Sequence, residues 1–519
     1  MVSVLPGILL AACGDSGGAS DSATSTTPGP VTLETGAVGT TQASDNSATD
    51  TPTTAGGVSN AMTEATAPTT GSPTSDPTAS ATTVDPSATQ TDPGTSATTM
   101  MLGETSNSTG AGASTTDSPG GTTTTGTTTA GPGSTSEGSS SDGICEPGES
   151  GGGMGMVEKS FIWIASQDLS DISKVDTQTM LELARYRTGP SNNESPSRTA
   201  VSADGRFVVV NDRQTGRSTM IAANVEDCID KNGNGSIDTS QNKGDLRAWG
   251  QDECVMWSLT WPYKGAWQHG PRGVTWTLGH WDYDLCAYVE PKVWIGYKSN
   301  DPGGTTVHLV RVDGISGTVE ETIKVPNWFD SGNDFAPYGA ALDPEFRPWF
   351  SSLRGEFVRV NTDQNPITVT RFTPPQYVQS YGFTVDSDGN PWFAGWSGPV
   401  TTYDVDTDTY TQIPGTTGVR RGIAVDDKYV WAAANSPCGL LQIDRATKSL
   451  VQFHVPNPCN TAIGLSIDIE GFVWLVDQGG WAWKFDPDNV PGMMKVDITG
   501  SHYVYSDMTG GQLLSITPQ

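Results

Sequence analysis

Nowhere before Lys159 does the chain contain lysine, arginine, histidine, phenylalanine, tyrosine or tryptophan. All 13 Phe, 13 Tyr and 16 Trp come later. A segment without aromatic residues, and with few branched aliphatics, cannot bury enough apolar surface to offset its backbone entropy. A globular domain is therefore excluded from the first 155 or so residues. Cations are scarce throughout, with 28 Lys and Arg against 58 Asp and Glu and a net charge of −30. This excludes nucleic acid and anionic lipid as partners, because both are held by clustered cations. The acidic excess serves solvation, or part of it is neutralised by divalent cations. No two of the seven cysteines have CxxC spacing, which leaves zinc ribbons and thioredoxin-like motifs without support.

What the first half does contain is a short apolar run, Val2 to Ala12, too short to span a bilayer. It ends in Leu10-Ala11-Ala12-Cys13, which resembles the lipobox of bacterial lipoproteins. The resemblance implies a signal peptide over 1–12, cleavage before Cys13 and acylation of Cys13. One departure is the missing basic region ahead of the apolar run. Residues 13–156 are mostly Thr, Ser, Gly, Ala, Pro and Asp, a composition that predicts a disordered tether. As a coil it would span about 60 Å. The expected location is the bacterial cell envelope, at the outer membrane if the cell has one. The lipid is the only membrane attachment, and the folded part lies outside the cytoplasm. Cys145 falls at the edge of the expected folded part.

From Lys159 onward the chain repeats itself. Gly339, Asp343 and Trp349 make one copy, followed by Gly382, Asp386 and Trp392, then Gly422, Asp426 and Trp431, then Gly464, Asp468 and Trp474. The glycines are 43, 40 and 42 residues apart, which is four short strands per repeat, the size of a propeller blade. Second halves of the copies end in an apolar residue plus Asp or Asn before a turn, as at Val175-Asp176, Val312-Asp313, Tyr403-Asp404 and Ile443-Asp444. Two further copies open near Arg198 and Arg272, and the first, from Phe161, lacks its innermost strand. The tail, His502 to Ser506 and Gln512 to Ile516, is available to supply it. The sequence thus predicts an all-β, seven-bladed β-propeller over 157–519. The Gly-x-x-x-Asp-x-x-Gly-x-x-Trp-Phe strand pair resembles the virginiamycin B lyase (streptogramin lyase) propellers. The resemblance covers all blades; it speaks for the fold, and the repeated tryptophans read as packing between blades.

An insertion at 226–254 carries Asp230-Lys-Asn232-Gly-Asn234-Gly-Ser236-Ile-Asp238. Oxygen side chains at positions 1, 3, 5 and 9, with Gly at 6, resemble an EF-hand-type Ca²⁺ loop. The metal ligands expected are Asp230, Asn232, Asn234, Ser236 (through its carbonyl) and Asp238. Gln241 stands where the bidentate Glu belongs, so Asp252 or Glu253 is needed to complete the shell. The opposing reading is a plain Asn-Gly turn. Cys228 and Cys254 bracket the loop and are candidates for a disulfide, as are Cys438 and Cys459.

Ligands of propellers sit over the central channel, so the residues just before the repeat glycines matter: Arg272, Tyr338, Tyr381 and Arg421, with His269 a little upstream. Such a mouth suits an anionic or aromatic ligand, and equally these residues could only pack and cap strand ends. The lyase resemblance implies a channel histidine and metal-binding carboxylates from the late blades. The inner strands Gly422 to Asp426 and Gly464 to Asp468 have no histidine, and His454 falls on an outer strand. A binding or scaffold protein for a small-molecule, glycan or protein ligand is the leading expectation. The alternative is a lyase-like enzyme opening a cyclic ester with His269 or His280 as base.

Overall fold

The computed structural model describes residues 160–516 apart from Asn333. The signal peptide, Cys13, the tether and Cys145 lie outside the described residues. Seven antiparallel sheets follow one another along the chain, and they are the blades. Blade 1 has three strands, Phe161–Ser166, Asp171–Asp176 and Glu182–Arg187. The other six have four each, with innermost strands Pro196–Val201, Val274–Thr277, Gly339–Leu342, Gly382–Val385, Val419–Val425 and Ala462–Ile467. A hairpin, His280–Asp282 with Ala287–Val289, is inserted after the innermost strand of blade 3.

The repeated residues explain the architecture. Innermost strands of successive blades pack side by side around the axis, and the repeat glycines stand where they come closest. A Cβ at Gly382 would overlap the carbonyl oxygen of Arg421, and one at Gly422 would lie 2.7 Å from that of Ile463. At Gly464 the obstruction is the carbonyl oxygen of Val504, in the tail. The repeated Asp and Trp form a buried pair. Trp349, Trp392, Trp431 and Trp474 each donate the indole N–H to Asp343, Asp386, Asp426 and Asp468, at 2.8–2.9 Å. These rings are at most 1% exposed, so an indole without an acceptor would carry an unmet polar group into the core. In the outer turns, Asp176, Asp313, Asp404 and Asp444 accept the backbone N–H three residues on, which fixes the turn.

Closure of the ring uses both ends of the propeller sequence. The segment from Ser501 to Met508 runs along the first strand of blade 1: Trp163 donates to the Met508 carbonyl at 2.9 Å, Gln167 to Ser501 at 3.0 Å, and Ser166 bridges His502. It takes the place of the missing innermost strand and removes an open sheet edge. The second part of the tail departs from expectation. Gln512 to Ile516 belong to a short helix, Gly511–Ile516, and not to a strand. Gly510, with φ of 83°, turns the chain out of the extended tail just before that helix.

Candidate functional site

Four of the residues flagged before the repeat glycines meet at one end of the channel. Tyr338 and Tyr381 have ring centroids 5.2 Å apart, and Arg421 donates to the Tyr381 hydroxyl at 3.1 Å. The Arg272 guanidinium, from a fully buried residue, lies 5.1–5.2 Å from the centroids of Trp267, Phe335 and Tyr338. Residues that sequence reasoning did not place complete the cluster. Tyr503 and Tyr505 enter from the tail, and the Arg198 guanidinium stands 3.6 Å over the Tyr505 ring. Arg213, which follows the second strand of blade 2, stands 4.1 Å over Tyr503.

A chain of hydroxyls links the tyrosines. The Tyr503 oxygen lies 3.1 Å from that of Tyr338 and 2.5 Å from that of Tyr381, while Tyr338 and Tyr505 are 2.8 Å apart. Among the described residues no carboxylate pairs with Arg198, Arg213, Arg272 or Arg421; they donate to carbonyls, hydroxyls and one amide. The Nε of Arg198 and Arg421, and the Nε and Nη1 of Arg272, are buried without an acceptor. Cation–π contact substitutes in part, worth about 2 kcal/mol or more when desolvated. Burial pushes the Tyr338, Tyr381 and Tyr505 phenols above their usual range. Burial acts on Tyr503 in the same direction. There the charges of Arg213 and Arg272, with the hydrogen bonds from Tyr338 and Tyr381, outweigh it and bring the phenol down to about 7.

His269 stands apart from this network. Its Nε2 lies 2.9 Å from Asp334, whose carboxylate also receives Lys264 at 2.9 Å and Lys298 at 2.5 Å. Burial holds the His269 imidazole below its ordinary value despite the carboxylate. His280 is exposed on the blade 3 hairpin, with its Nδ1 3.9 Å from Glu290. His454 is on the outermost strand of blade 6. A cavity of about 30 Å³ lies along the inner strands, bordered by Ala340, Thr384, Ala424, Ser466 and Asp507. Burial lifts the Asp507 carboxyl to about 6 against hydrogen bonds from Thr509 and Gly510.

The calcium-type loop lies between the third and fourth strands of blade 2, Arg217–Ala222 and Val255–Thr260, closed by a Cys228–Cys254 disulfide. Asp230 accepts the N–H of Gly233 at 2.6 Å and of Gly235 at 2.8 Å. The amides of Asn232 and Asn234 both reach Asp238 Oδ2 at 2.9 Å. The side chains of positions 3, 5 and 9 thus gather on one point. The amide oxygens are themselves engaged: Asn232 Oδ1 accepts the N–H of Asn234 at 2.9 Å and Asn234 Oδ1 that of Ser236 at 2.8 Å. Oxygen side chains are the donor type that Ca²⁺ takes, and Asp230 and Asp238 supply the two carboxylates of the loop. Asp252 and Glu253 do not join them: Glu253 accepts from Lys231, Asn232 and Asp238, and Asp252 from Thr239, Ser240 and Cys254. They brace the loop from behind. A second disulfide joins Cys438 to Cys459.

No protein-family model matches the chain, and no protein of curated function matches it in sequence. Solved structures similar to it include apo AztD from Citrobacter koseri, at 11% identity and a TM-score of 0.42, covering 67% of this chain and 97% of that one. A functionally unknown protein from Desulfotomaculum acetoxidans is similar at 14% identity and a TM-score of 0.43, over 67% of this chain and 98% of that one. A candidate 6-phosphogluconolactonase from Bacteroides fragilis is similar at 11% identity and a TM-score of 0.45, over 67% and 97%. At these identities and scores the seven sheets themselves, and not the likeness, establish what the chain is: an all-β, seven-bladed propeller.

Proposed function

We propose that this protein is a lipid-anchored binding protein of the bacterial envelope, whose propeller takes a small anionic ligand at the arginine-lined end of its channel. One observation carries the reading: Arg198, Arg213, Arg272 and Arg421 gather there without a carboxylate partner among the described residues. Buried guanidinium N–H groups without acceptors are costly, and a ligand carboxylate, sulfate or phosphate supplies what they lack. The loop at Asp230 to Asp238 is proposed to hold a structural Ca²⁺ ion, away from this site. The anchor rests on Leu10-Ala11-Ala12-Cys13 alone.

Calorimetric titration of the protein with sulfate, phosphate and a set of small carboxylates tests the binding reading. At least one should bind, and Arg272→Gln should weaken it by about tenfold to a hundredfold, as for loss of one charge-assisted contact. Equal heats for the wild type and the variant with every anion would refute the assignment.

A further inference from the structure

The hydroxyl hydrogens at the channel mouth have only a few consistent arrangements. Arg421 donates to the Tyr381 oxygen at 3.1 Å, so Tyr381 is steered to direct its own hydrogen to Tyr503, 2.5 Å away. Tyr505 lies 2.8 Å from Tyr338 and has its hydrogen available for it, which leaves the Tyr338 hydrogen for Tyr503 at 3.1 Å. Both neighbours then donate to the Tyr503 oxygen. With Tyr503 as a phenolate, every hydroxyl hydrogen in the chain has an acceptor. With Tyr503 as a phenol, one more hydrogen must be placed in the same space.

The surrounding charge favours the first arrangement. Blade 2 brings Arg213 over the Tyr503 ring and Arg198 over Tyr505, and blade 3 brings Arg272. Blades 4 and 5 contribute the Tyr338 and Tyr381 hydroxyls, with Arg421 of blade 6 behind Tyr381. The charges of Arg213 and Arg272 and the hydrogen bonds from Tyr338 and Tyr381 favour the Tyr503 phenolate, against burial. A group of cations in a site of low polarity requires a counter-charge, and of the four tyrosines here Tyr503 is the one whose phenol the arginines bring down.

We propose that Tyr503 is the resident counter-anion of this arginine cluster and gives up that role to an incoming carboxylate, so that each ligand bound takes up one proton. The inference rests on the binding reading above and adds to it the ligand's class and its coupling to pH. A second negative charge among the same arginines makes the phenolate unfavourable, and Tyr503 takes a proton from solvent. No bond other than that O–H is made. The ligand is a carboxylate on a flat, aromatic body, because the partly exposed residues Trp267, Phe335 and Trp396 have their rings against the arginines. The titration of Tyr503 near 7 places the switch within the physiological range.

The test uses the full chain with benzoate as probe and acetate as its ringless counterpart, both ionised throughout the range. Without ligand, the ultraviolet tyrosinate band should rise with a midpoint near 7 and be absent from Tyr503→Phe. Tyr338→Phe, which removes one donor to Tyr503, should move the midpoint upward while keeping the band. The benzoate Kd should rise about tenfold per pH unit above that midpoint, and calorimetry about two pH units above it, in two buffers of different ionisation heat, should count one proton taken up. Benzoate should bind more tightly than acetate. Benzoate binding that needs Arg272 but is independent of pH, or a missing band, overturns the coupling and leaves the anion site standing. Failure of benzoate and every other anion to bind removes the site and the coupling together. Circular dichroism of each variant shows that a lost signal is not lost folding.

Discussion

Trp392 donates its indole N–H to Asp386 Oδ2 at 2.8 Å, and the same carboxylate group accepts the backbone N–H of Asp388 and Asn390 through its other oxygen. One side chain thus holds both a buried ring and the turn that leads to it. Asp386→Ala should destabilise the propeller by about 2–4 kcal/mol, since it orphans a buried donor and loosens the turn. Asp386→Asn keeps one acceptor oxygen and should cost less. Urea unfolding followed by tryptophan fluorescence gives both values, and equal stability of the two variants would show that the pair does not matter.

Gly422 has a different role, set by what surrounds the place where a Cβ would go. The backbone N of Leu465 and the carbonyl of Ile463 lie 2.7–2.8 Å from that point, and backbone cannot step aside as a side-chain tip can. Gly422→Ala should therefore destabilise by about 1–3 kcal/mol through overpacking. Gly471→Ala meets nothing within 4 Å but has φ of 83°. Its cost should be about 1 kcal/mol and conformational alone. The order of the two in a denaturant series checks the distinction.

His502 is fully buried beside Ser166 and the Ile498 carbonyl, and burial lowers its imidazole to about 4. The unfolded chain binds a proton on His502 below about 6.5, whereas the folded protein does so only below about 4. The resulting stability is complete above 6.5 and is lost as pH falls toward 4, to a total of about 3 kcal/mol. Asp171 and Asp507, each lifted to about 6 chiefly by burial, act in the opposite sense over the same acid range. The difference between the wild type and His502→Gln isolates the histidine. That difference should shrink by about 3 kcal/mol between pH 7 and 4, and a constant difference would exclude the linkage.

Calcium at a hundredfold excess over Kd should stabilise the fold by about 2.7 kcal/mol if it binds only the folded loop. For a propeller of this length the melting midpoint should rise by roughly three to four degrees. EGTA should reverse the shift and Asp230→Ala should remove most of it, because Asp230 is the expected first ligand and already receives the N–H groups of Gly233 and Gly235. The donor set holds two carboxylates, with Asp252 and Glu253 engaged elsewhere, so the affinity should be modest and Mg²⁺ should do less. Identical melting curves with Ca²⁺ and EGTA would reduce the loop to an Asn-Gly turn.

The ring of blades was legible because Gly, Asp and Trp recur for reasons that repeat with each blade: a close approach, a buried acceptor and the indole that needs it. Tyr338, Tyr381 and Arg421 could be placed at the mouth by counting from those glycines. Arg198 could not, since the innermost strand of blade 2 lacks the glycine and carries an irregularity between Pro196 and Arg198 that shifts the register. Tyr503 and Tyr505 lie in the tail that the sequence offers as the missing innermost strand, but with no repeat glycine to count from, their rings could not be placed at the mouth. Gln512 to Ile516 misled, because a run of five residues containing Leu and Ile fits a buried strand and a short helix equally well. The orientation of His269 toward Asp334, away from the tyrosines, depends on a loop between blades 3 and 4 and follows from no local pattern.

The tail that closes the ring also has a position in time. The chain is made, and on the proposed reading exported, from its N-terminal end, and Tyr503 and Tyr505 follow every blade. Until they arrive, Arg198, Arg213 and Arg272 have been synthesised but lack the rings and the oxygen that organise them. The cluster therefore comes into being in the same event that seals blade 1 against blade 7. A molecule clipped ahead of Tyr503 would lack the rings under Arg198 and Arg213, and the cluster with them.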